Sequence, residues 1–240
     1  RRRKLCEMID ADAKILLGGA DGAQGNEVFR QYNEFYYFCG VEVPHAYLLI
    51  DCGTGQTCLF MPADAQLENT WPDEKLCAEN ADLVCSRTGV DECLGLAALG
   101  ARLEKASALY LPFQEGELRS SSPDSLQRWY ANVLADPWDG RAHRSAHLAG
   151  LIRQRLPGLK LLNLNPLIDE LRLIKSPREI DFMRRAGELT AKGVVEAMRS
   201  TRQGVMEYQL DAILRYHFLA GGAADRGYFA IIASGKNIMN

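Results

Sequence analysis

Two histidines form the first pair whose spacing suggests chemistry. His143 and His147 are four positions apart in a segment with helical periodicity, so both side chains could face one metal ion. The helical zinc motif H-E-x-x-H needs a glutamate after its first histidine as a general base, and here that position is Arg144. A cation beside the ligands also disfavours a divalent ion. The pattern therefore favours two exposed histidines on a polar helix face over a metal site.

An acidic row on a second predicted helix is the other candidate. Glu207, Asp211 and Arg215 recur at intervals of four, so they share one helix face. A carboxylate pair is one interpretation, but a surface ion pair between Asp211 and Arg215, contributing about 0.3–0.5 kcal/mol, is favoured. No serine stands in a G-x-S-x-G turn, and no cysteine in a recognisable nucleophile motif. The residues themselves supply no complete active site.

The elements before residue 165 mix strands with helices. Apolar runs that end in glycine or turn residues predict strands, and longer runs with capping signals predict helices. The predicted strands are 13–18, 34–39, 45–51, 57–61, 108–112 and 159–163, and the predicted helices are 1–11, 91–105, one capped by Ser122, and 143–156. This mixture predicts an α/β domain over residues 1–165.

The second part opens on a strong helix signal. Residues 176–179 (SPRE) form a capping box with Pro at the first helical position. Apolar residues then recur at helical spacing as far as Met198, so one helix face is predicted to be buried. A second helix is predicted over Met206–Leu219, followed by a strand over Tyr228–Ala233. Two helices and one strand cannot close a sheet, so we expect residues 166–240 to begin a larger domain.

Composition and charge exclude several classes of protein. The 240 residues are 47% hydrophobic and 25% charged, unlike a disordered or collagen-like chain. Residues 1–150 carry 14 Lys and Arg against 22 Asp and Glu, whereas residues 151–240 carry 14 against 9. The basic residues of the second part alternate with acidic ones and have no aromatic ladder between them, so nucleic-acid binding is not predicted.

Cysteine usage and apolar run lengths indicate the compartment. All seven cysteines fall in the first 93 residues, and none is in a C-x-x-C pair. Reduced thiols packed as small hydrophobic groups are therefore favoured over a disulfide framework or a zinc ribbon. No apolar run approaches the ~20 residues that span a bilayer, so no membrane partner is expected. Together these features predict a cytoplasmic protein.

Two blocks of sequence resemble one family. Residues 29–62 (FRQYNEFYYFCGVEVPHAYLLIDCGTGQTCLFMP) have a Phe-x-Gln, an aromatic run ending in Gly, a Pro, and a closing Leu-Phe-x-Pro. Residues 174–237 (IKSPREIDFMRRAGELTAKGVVEAMRSTRQGVMEYQL through GYFAIIASGKN) have two helices and a following strand. These blocks resemble the aminopeptidase P, creatinase and prolidase family. The resemblance implies a creatinase-like mixed-sheet domain over 1–165, followed by the start of a truncated pita-bread (α+β) domain over 166–240.

The resemblance also implies a function and a site. It implies a metallopeptidase that removes the first residue of peptides with Pro in second position, and that assembles into a homo-oligomer. Two divalent metal ions, expected to be manganese, would be held by carboxylates and a histidine beyond Asn240, so we expect this chain to bind no metal and to be inactive by itself. Tyr228 matches the family's aromatic residue beside the metal pocket and is the predicted substrate-binding residue, with a structural strand tyrosine as the alternative. The alternatives are a prolidase, a creatinase-like amidinohydrolase and a non-catalytic oligomerisation module.

Overall fold

The computed structural model describes residues 1–22, 29–67, 75–117, 122–228 and 230–239. The chain divides into two compact units, a first unit of residues 1–173 and a second unit of residues 174–240. The predicted boundary at 165/166 lies at the start of a helix that belongs to the first unit. The described helices are α1 (Arg2–Cys6), α2 (Asn33–Cys39), α3 (Ala81–Thr88), α4 (Leu99–Leu103), α5 (Pro123–Ala135), α6 (Arg144–Arg155), α7 (Asn165–Leu173), α8 (Pro177–Ser200) and α9 (Glu207–Ala220).

A six-stranded mixed sheet organises the first unit. Its strands are β1 (Ala13–Gly18), β2 (Tyr47–Asp51), β3 (Thr57–Met61), β4 (Glu92–Gly95), β5 (Ala108–Leu111) and β6 (Lys160–Asn163). The spatial order is β4-β3-β2-β1-β5-β6. The β1–β2 and β2–β3 pairs are antiparallel, whereas β1–β5, β3–β4 and β5–β6 are parallel. The predicted α/β class with a mixed sheet is confirmed.

Both faces of this sheet are covered, because successive side chains of a strand point to opposite sides. Ile15 and Leu17 of β1 face a core that contains Phe35 and Phe38 of α2 and Ile168 of α7. The intervening Leu16 faces a second core, which is closed by side chains of α6 and by Leu103 at the end of α4. Strands buried on both faces read as continuous apolar runs, which is why β1 and β3 were predicted with their observed bounds.

The aromatic run before Gly40 is helix α2, so the predicted strand over 34–39 is wrong. Phe35 and Phe38 are buried three positions apart, while Tyr36 between them is 50% exposed. That spacing is helical, and it outweighs the strand preference of the aromatic residue types. Gly40 ends the helix at φ +69°, where its N–H donates to the carbonyl oxygen of Tyr36 at 2.8 Å.

Two other predicted helices differ from the structure. The helix predicted over 91–105 begins instead as strand β4, which pairs with β3 so that Cys93 lies opposite Leu59. Asp91 secures this edge, because its carboxylate accepts hydrogen bonds from the N–H (2.8 Å) and hydroxyl (2.7 Å) of Thr57. Within this range, a 3-10 turn over Leu96–Ala98 leads into the short α-helix Leu99–Leu103. The helix predicted over 1–11 is shorter, Arg2–Cys6.

The second unit is a pair of packed helices, and the residues that α8 buries differ from the predicted ones. The capping box is present, with the Glu179 N–H donating to the Ser176 hydroxyl at 3.3 Å. Helix α8 packs on α9 through Leu189 and Gly193, and a Cβ at Gly193 would lie 3.1 Å from the Leu214 side chain. The face predicted to be buried is largely exposed instead, with Met183 60% and Val194 43% exposed. No described helix is both long and apolar enough to cross a membrane.

The strand predicted over Tyr228–Ala233 is not formed at its described residues. Residue 228 and residues 230–234 lie in neither a helix nor a strand, and Phe229 lies outside the described ranges. A strand needs a neighbouring strand to satisfy its backbone groups, and the described part of the second unit contains none. The segment instead leads into a 3-10 turn over Gly235–Met239.

Candidate functional site

The segment that carries Tyr228 is held against the start of α9. We call residues 225–237 the anchored segment, with Phe229 excluded because it is not described. Glu207, the first residue of α9, accepts the N–H of Ser234 at 2.6 Å and the Ser234 hydroxyl at 3.0 Å. The side-chain amide of Asn237 donates to the two Glu207 carboxylate oxygens at 3.1 and 3.3 Å. One carboxylate therefore ties together two residues of the anchored segment.

The acidic row on α9 continues this anchoring, and its predicted ion pair is wrong. Asp211 pairs with Arg226, whose Nη1 lies 2.7 and 2.8 Å from the two carboxylate oxygens. Arg215 pairs with Asp225 at 3.3 Å. The predicted Asp211–Arg215 pair along the helix gives way to these two cross-segment pairs, because each side chain meets a closer partner in the anchored segment.

Tyr228 therefore lies between two fixed points. Arg226 is held two residues before it and Ser234 six residues after it. Tyr228 is 72% exposed. The arrangement offers an aromatic surface on a backbone that is anchored at both ends.

The electrostatics of Glu207 follow from these contacts. The pKa of Glu207 is lowered, first by the hydrogen bond from the Asn237 amide and then by the bonds from Ser234. Donors that bond the ionised carboxylate favour that form over the protonated one. The anchored segment is thus fastened most firmly when Glu207 is ionised.

The described residues do not fit a metal ion. Among them, no group of three His, Cys, Asp or Glu side chains converges on one point. Three carboxylates of α8 pair instead with arginines of the same helix: Asp181 with Arg184 at 2.9 Å, Glu188 with Arg185 at 3.3 Å and Glu196 with Arg199 at 2.5 Å. Carboxylates neutralised in this way are poor ligands for a divalent ion.

His143 is not an exposed residue on a helix face, as the sequence predicted, but the N-cap of α6. Its Nδ1 accepts the N–H of Ala146 at 3.2 Å, and its side chain is only 17% exposed. The same Nδ1 lies 3.0 Å from Oε2 of Glu115. His147, one turn later, is exposed, so the two histidines do not face a common ion.

Sequence reasoning missed the buried carboxylates of the first unit. Oε1 of Glu115 accepts the Tyr32 hydroxyl at 2.5 Å, and Glu34 is 7% exposed. Burial raises the pKa of Glu34 to about 7, and the nearby carboxylate of Glu117 adds to the effect. Glu34, Glu115 and His143 line one cavity of about 510 Å³. No motif marks these residues, since the contacts join positions far apart in the chain.

Comparison with known families finds two matches in chain order. Residues 1–110 match the family described as aminopeptidase P, N-terminal domain, and residues 181–239 match metallopeptidase family M24. The chain is similar to the Xaa-Pro aminopeptidase of Escherichia coli K12. The identity is 27% over an alignment of 247 positions, which covers 99% of this chain and 52% of that protein. Human Xaa-Pro aminopeptidase 3 is 26% identical over 98% of this chain and 46% of its own length. The chain thus spans about half the length of these relatives.

Solved structures give the same pattern. A putative aminopeptidase P from Bacillus anthracis is similar with a TM-score of 0.77 at 20% identity, covering 98% of this chain and 54% of that one, which supports the fold. Aminopeptidase P from E. coli with the inhibitor Pro-Leu is similar with a TM-score of 0.66 at 26% identity, covering 92% of this chain and 48% of that one. A zinc-substituted form of the E. coli protein in complex with product has a TM-score of 0.65.

Proposed function

We propose that this chain forms part of an Xaa-Pro aminopeptidase of the aminopeptidase P family, because residues 1–110 match the N-terminal domain of that family and residues 181–239 match metallopeptidase family M24. Such an enzyme removes the first residue of a peptide whose second residue is proline. The observation that carries this proposal is the ordered similarity to the E. coli Xaa-Pro aminopeptidase over 99% of the chain. The activity is proposed for these residues together with a region that corresponds to the other half of the relatives.

The proposed substrate is defined by its backbone chemistry. The nitrogen of an Xaa–Pro bond carries no hydrogen, so a peptidase that must bind an N–H at that position loses a contact. A dedicated enzyme has to select proline and the free amino terminus instead. The inhibitor Pro-Leu bound to the E. coli relative supports a substrate that contains proline.

We propose that divalent metal ions, manganese in particular, serve the activity. The M24 metallopeptidase match and the zinc-substituted E. coli structure support a divalent metal. Among the described residues, no three His, Cys, Asp or Glu side chains come together in a group that could hold such an ion. We therefore propose that the ligands belong to the region of the relatives without a counterpart in these 240 residues.

The activity can be tested on two proteins. The protein encoded by the whole gene is expected to release the first residue from an Xaa-Pro tripeptide with manganese, and to leave the matched Xaa-Ala tripeptide uncleaved. The 240-residue chain with the same metal is expected to show no turnover. Turnover by the short chain would contradict the proposed position of the ligands, and equal cleavage of both tripeptides by the whole protein would contradict the proposed specificity.

We propose Tyr228 as the substrate-binding residue of this chain. Its exposure and its anchored backbone support that role. In the whole protein, Tyr228→Ala is expected to raise KM for an Xaa-Pro peptide. Tyr208→Ala is the matched control, because Tyr208 lies in the same unit and is 68% exposed. Equal effects of the two substitutions would remove Tyr228 from the proposed site.

A second candidate is an Xaa-Pro dipeptidase. Human Xaa-Pro dipeptidase is 24% identical over 98% of this chain and 45% of its own length. The two candidates differ in substrate length. The preferred cleavage of an Xaa-Pro dipeptide over the tripeptide would favour the second candidate.

We also propose that the protein is a homo-oligomer in the cytoplasm. Exposed apolar side chains of α8, with Phe182 66% and Met198 69% exposed, support self-association. Seven free cysteines, four of them buried, support a reducing compartment. Light scattering over a range of protein concentrations tests the first part, and a constant monomer mass would contradict it.

A further inference from the structure

The cavity of about 510 Å³ in the first unit plays no part in the proposed peptidase site. Its walls are formed by residues of α2, α5 and α7, by the N-cap of α6, and by the segment that follows β5. Clefts of this size hold small organic ligands in other proteins, usually with an apolar lining and a few polar groups that orient the ligand. The chemistry of the lining therefore indicates the class of ligand.

The described lining carries more negative than positive charge. Its acidic members are Glu34, Glu115, Glu117, Asp124 and Asp169. The lining has one arginine, Arg172, whose guanidinium nitrogens lie 3.4 Å from Oε2 of Glu117. His143 is the other lining residue that can become a cation. Glu117 thus has a basic partner, whereas Glu34 has no ion pair with a described residue.

Glu34 is a buried carboxyl group that lacks a second donor. The residue is only 7% exposed, and its Oε2 accepts the N–H of Glu117 at 3.3 Å. No other described residue donates a hydrogen bond to its Oε1. Burial raises the pKa of Glu34 to about 7, because the ionised form has lost its water and gained no adequate partner. A cationic ligand beside Oε1 would compensate that buried charge.

The neighbouring carboxyl group of Glu115 is also short of donors. Its side chain is 7% exposed, and its Oε1 accepts the Tyr32 hydroxyl at 2.5 Å. Its Oε2 is buried and accepts no hydrogen bond from a described residue. That oxygen lies 3.0 Å from Nδ1 of His143, but the same nitrogen already accepts the N–H of Ala146. This side of the cavity therefore offers acceptors and lacks donors.

Close packing fixes this wall before a ligand arrives. An added Cβ at Gly116 would collide with the ring of Tyr32, so the backbone beside Glu115 lies directly on that ring. The side-chain oxygen of Asn165 accepts the N–H of Phe113 at 2.8 Å and the N–H of Gln114 at 3.2 Å. A wall held in this way loses little conformational freedom when it binds a ligand.

The rest of the lining is suited to an apolar group. Phe113 and Leu134 line the cavity although both remain partly exposed, and Ile168 lines it from α7. The ring of Tyr130 lies edge-on to the ring of His143, with their centroids 5.3 Å apart. An aromatic face also attracts a cation. The lining therefore combines acceptors for a positive charge with a surface for a hydrophobic body.

We propose that this cavity binds a small organic ammonium ion that carries an apolar group. The ammonium group donates a hydrogen bond to Oε1 of Glu34, and the apolar group packs on Phe113 and Leu134. A bare metal ion suits the cavity less well, since no three potential metal ligands come together among the described residues. This site is separate from the proposed peptidase activity and does not depend on it.

The first test compares ligands of one shape and different charge. Isothermal titration calorimetry of the 240-residue chain at pH 8, above the pKa of Glu34, uses 2-phenylethylamine, 2-phenylethanol and phenylacetate. The protonated amine is expected to bind about tenfold more tightly than the alcohol, the factor expected for one charge-assisted hydrogen bond. Phenylacetate is expected not to bind. Equal affinity for the amine and the alcohol, or no binding of the amine at millimolar concentration, would overturn the proposal.

The second test removes the charge of Glu34. Glu34→Gln keeps the size of the side chain and is expected to abolish the preference for the amine over the alcohol. Glu42→Gln is the matched control, because Glu42 pairs with Arg30 and does not line the cavity. That variant should keep the full preference. A preference for the amine that survives in Glu34→Gln would show that Glu34 does not bind the ammonium group.

A third measurement locates the ligand on the unsubstituted chain, so it does not depend on the folding of a variant. The chain has four histidines, and their ring signals can be followed by NMR. Added 2-phenylethylamine is expected to shift the signal of His143, which lines the cavity, and to leave those of His45 and His217 unchanged. Shifts at His45 or His217 with none at His143 would place the amine elsewhere and overturn the proposal.

Discussion

The two units bury their apolar residues to very different extents. The first unit covers both faces of its sheet, and Phe35, Phe60 and Leu59 are fully buried. In the described part of the second unit, only Leu189 and Gly193 are buried. A helix pair with so little buried surface gains little from packing, since helical stability in proteins comes mainly from a covered apolar face. The comparison indicates that the first unit stabilises itself, whereas the second gains most of its helical order from caps and polar anchors.

The sharpest test of this contrast is to remove one aromatic side chain from each unit. Phe35→Ala is expected to lower the free energy of unfolding of the first unit by about 3–5 kcal/mol, because it leaves a cavity in a closed core. Phe182→Ala, at a position 66% exposed, is expected to change stability by less than about 0.5 kcal/mol. Urea unfolding followed by circular dichroism measures both. Similar losses for the two variants would contradict the contrast.

The buried carboxyl of Glu34 gives the first unit a pH dependence. Its pKa is raised from 4.5 to about 7 in the folded state. Between these values the folded chain holds a proton that the unfolded chain has released, so the free energy of unfolding falls as pH rises through this window. The full loss, about 3 kcal/mol, is reached above pH 7. Glu34→Gln should remove the slope and stabilise the unit most at high pH.

Glu42→Gln is the matched control for Glu34→Gln. Glu42 is 37% exposed and pairs with Arg30 at 3.1 Å, so its substitution should leave the slope between pH 4.5 and 7 intact. Urea unfolding at a series of pH values distinguishes the two variants. Parallel profiles for Glu34→Gln and the unsubstituted chain would show that burial of Glu34 does not control this slope.

The same contrast explains which features could be predicted from sequence. The capping box at Ser176 and the bounds of β1 and β3 depend on local signals, and they are confirmed. Helix α2 was missed because its residue types favour a strand while their spacing favours a helix. Strand β4 was missed because pairing with β3, which is distant in sequence, decides it.

The site was less predictable than the fold. The family and the candidate residue Tyr228 were both inferred from the resemblance of two sequence blocks to known proteins. The role of Tyr228 in binding substrate stays a prediction. The partners of Asp211 and Arg215 could not be derived from a helical spacing, because they lie in the anchored segment rather than on α9. The strand over Tyr228–Ala233 was wrong since an apolar run becomes a strand only beside another strand.

Removing a helix cap from the second unit is expected to change stability less than the substitutions in the core of the first unit. Ser176→Ala removes the hydroxyl that accepts the Glu179 N–H and should destabilise α8 by about 1 kcal/mol. Because the unit has little buried surface, this loss should appear as a measurable decrease in helical circular dichroism. Ser200→Ala, at the last residue of α8, is the control and should cause a smaller decrease. Equal decreases would mean that the capping box does not order the helix.

The smallest expected effect concerns the anchored segment alone. Hydrogen bonds from Asn237 and Ser234 lower the pKa of Glu207, so the anchoring is present above the ordinary glutamate pKa and is lost as pH falls through the lowered value. Glu207→Gln should loosen the segment at neutral pH and remove its acid sensitivity. Hydrogen exchange at the Ser234 amide reports this directly, since that N–H donates to Glu207. Glu196→Gln, a carboxylate of α8 paired with Arg199, should leave the exchange rate unchanged. Equal acceleration of exchange by acid in the Glu207→Gln variant and in the unsubstituted chain would mean that a group other than Glu207 holds the anchored segment. The order of the second unit would then not depend on this polar anchor.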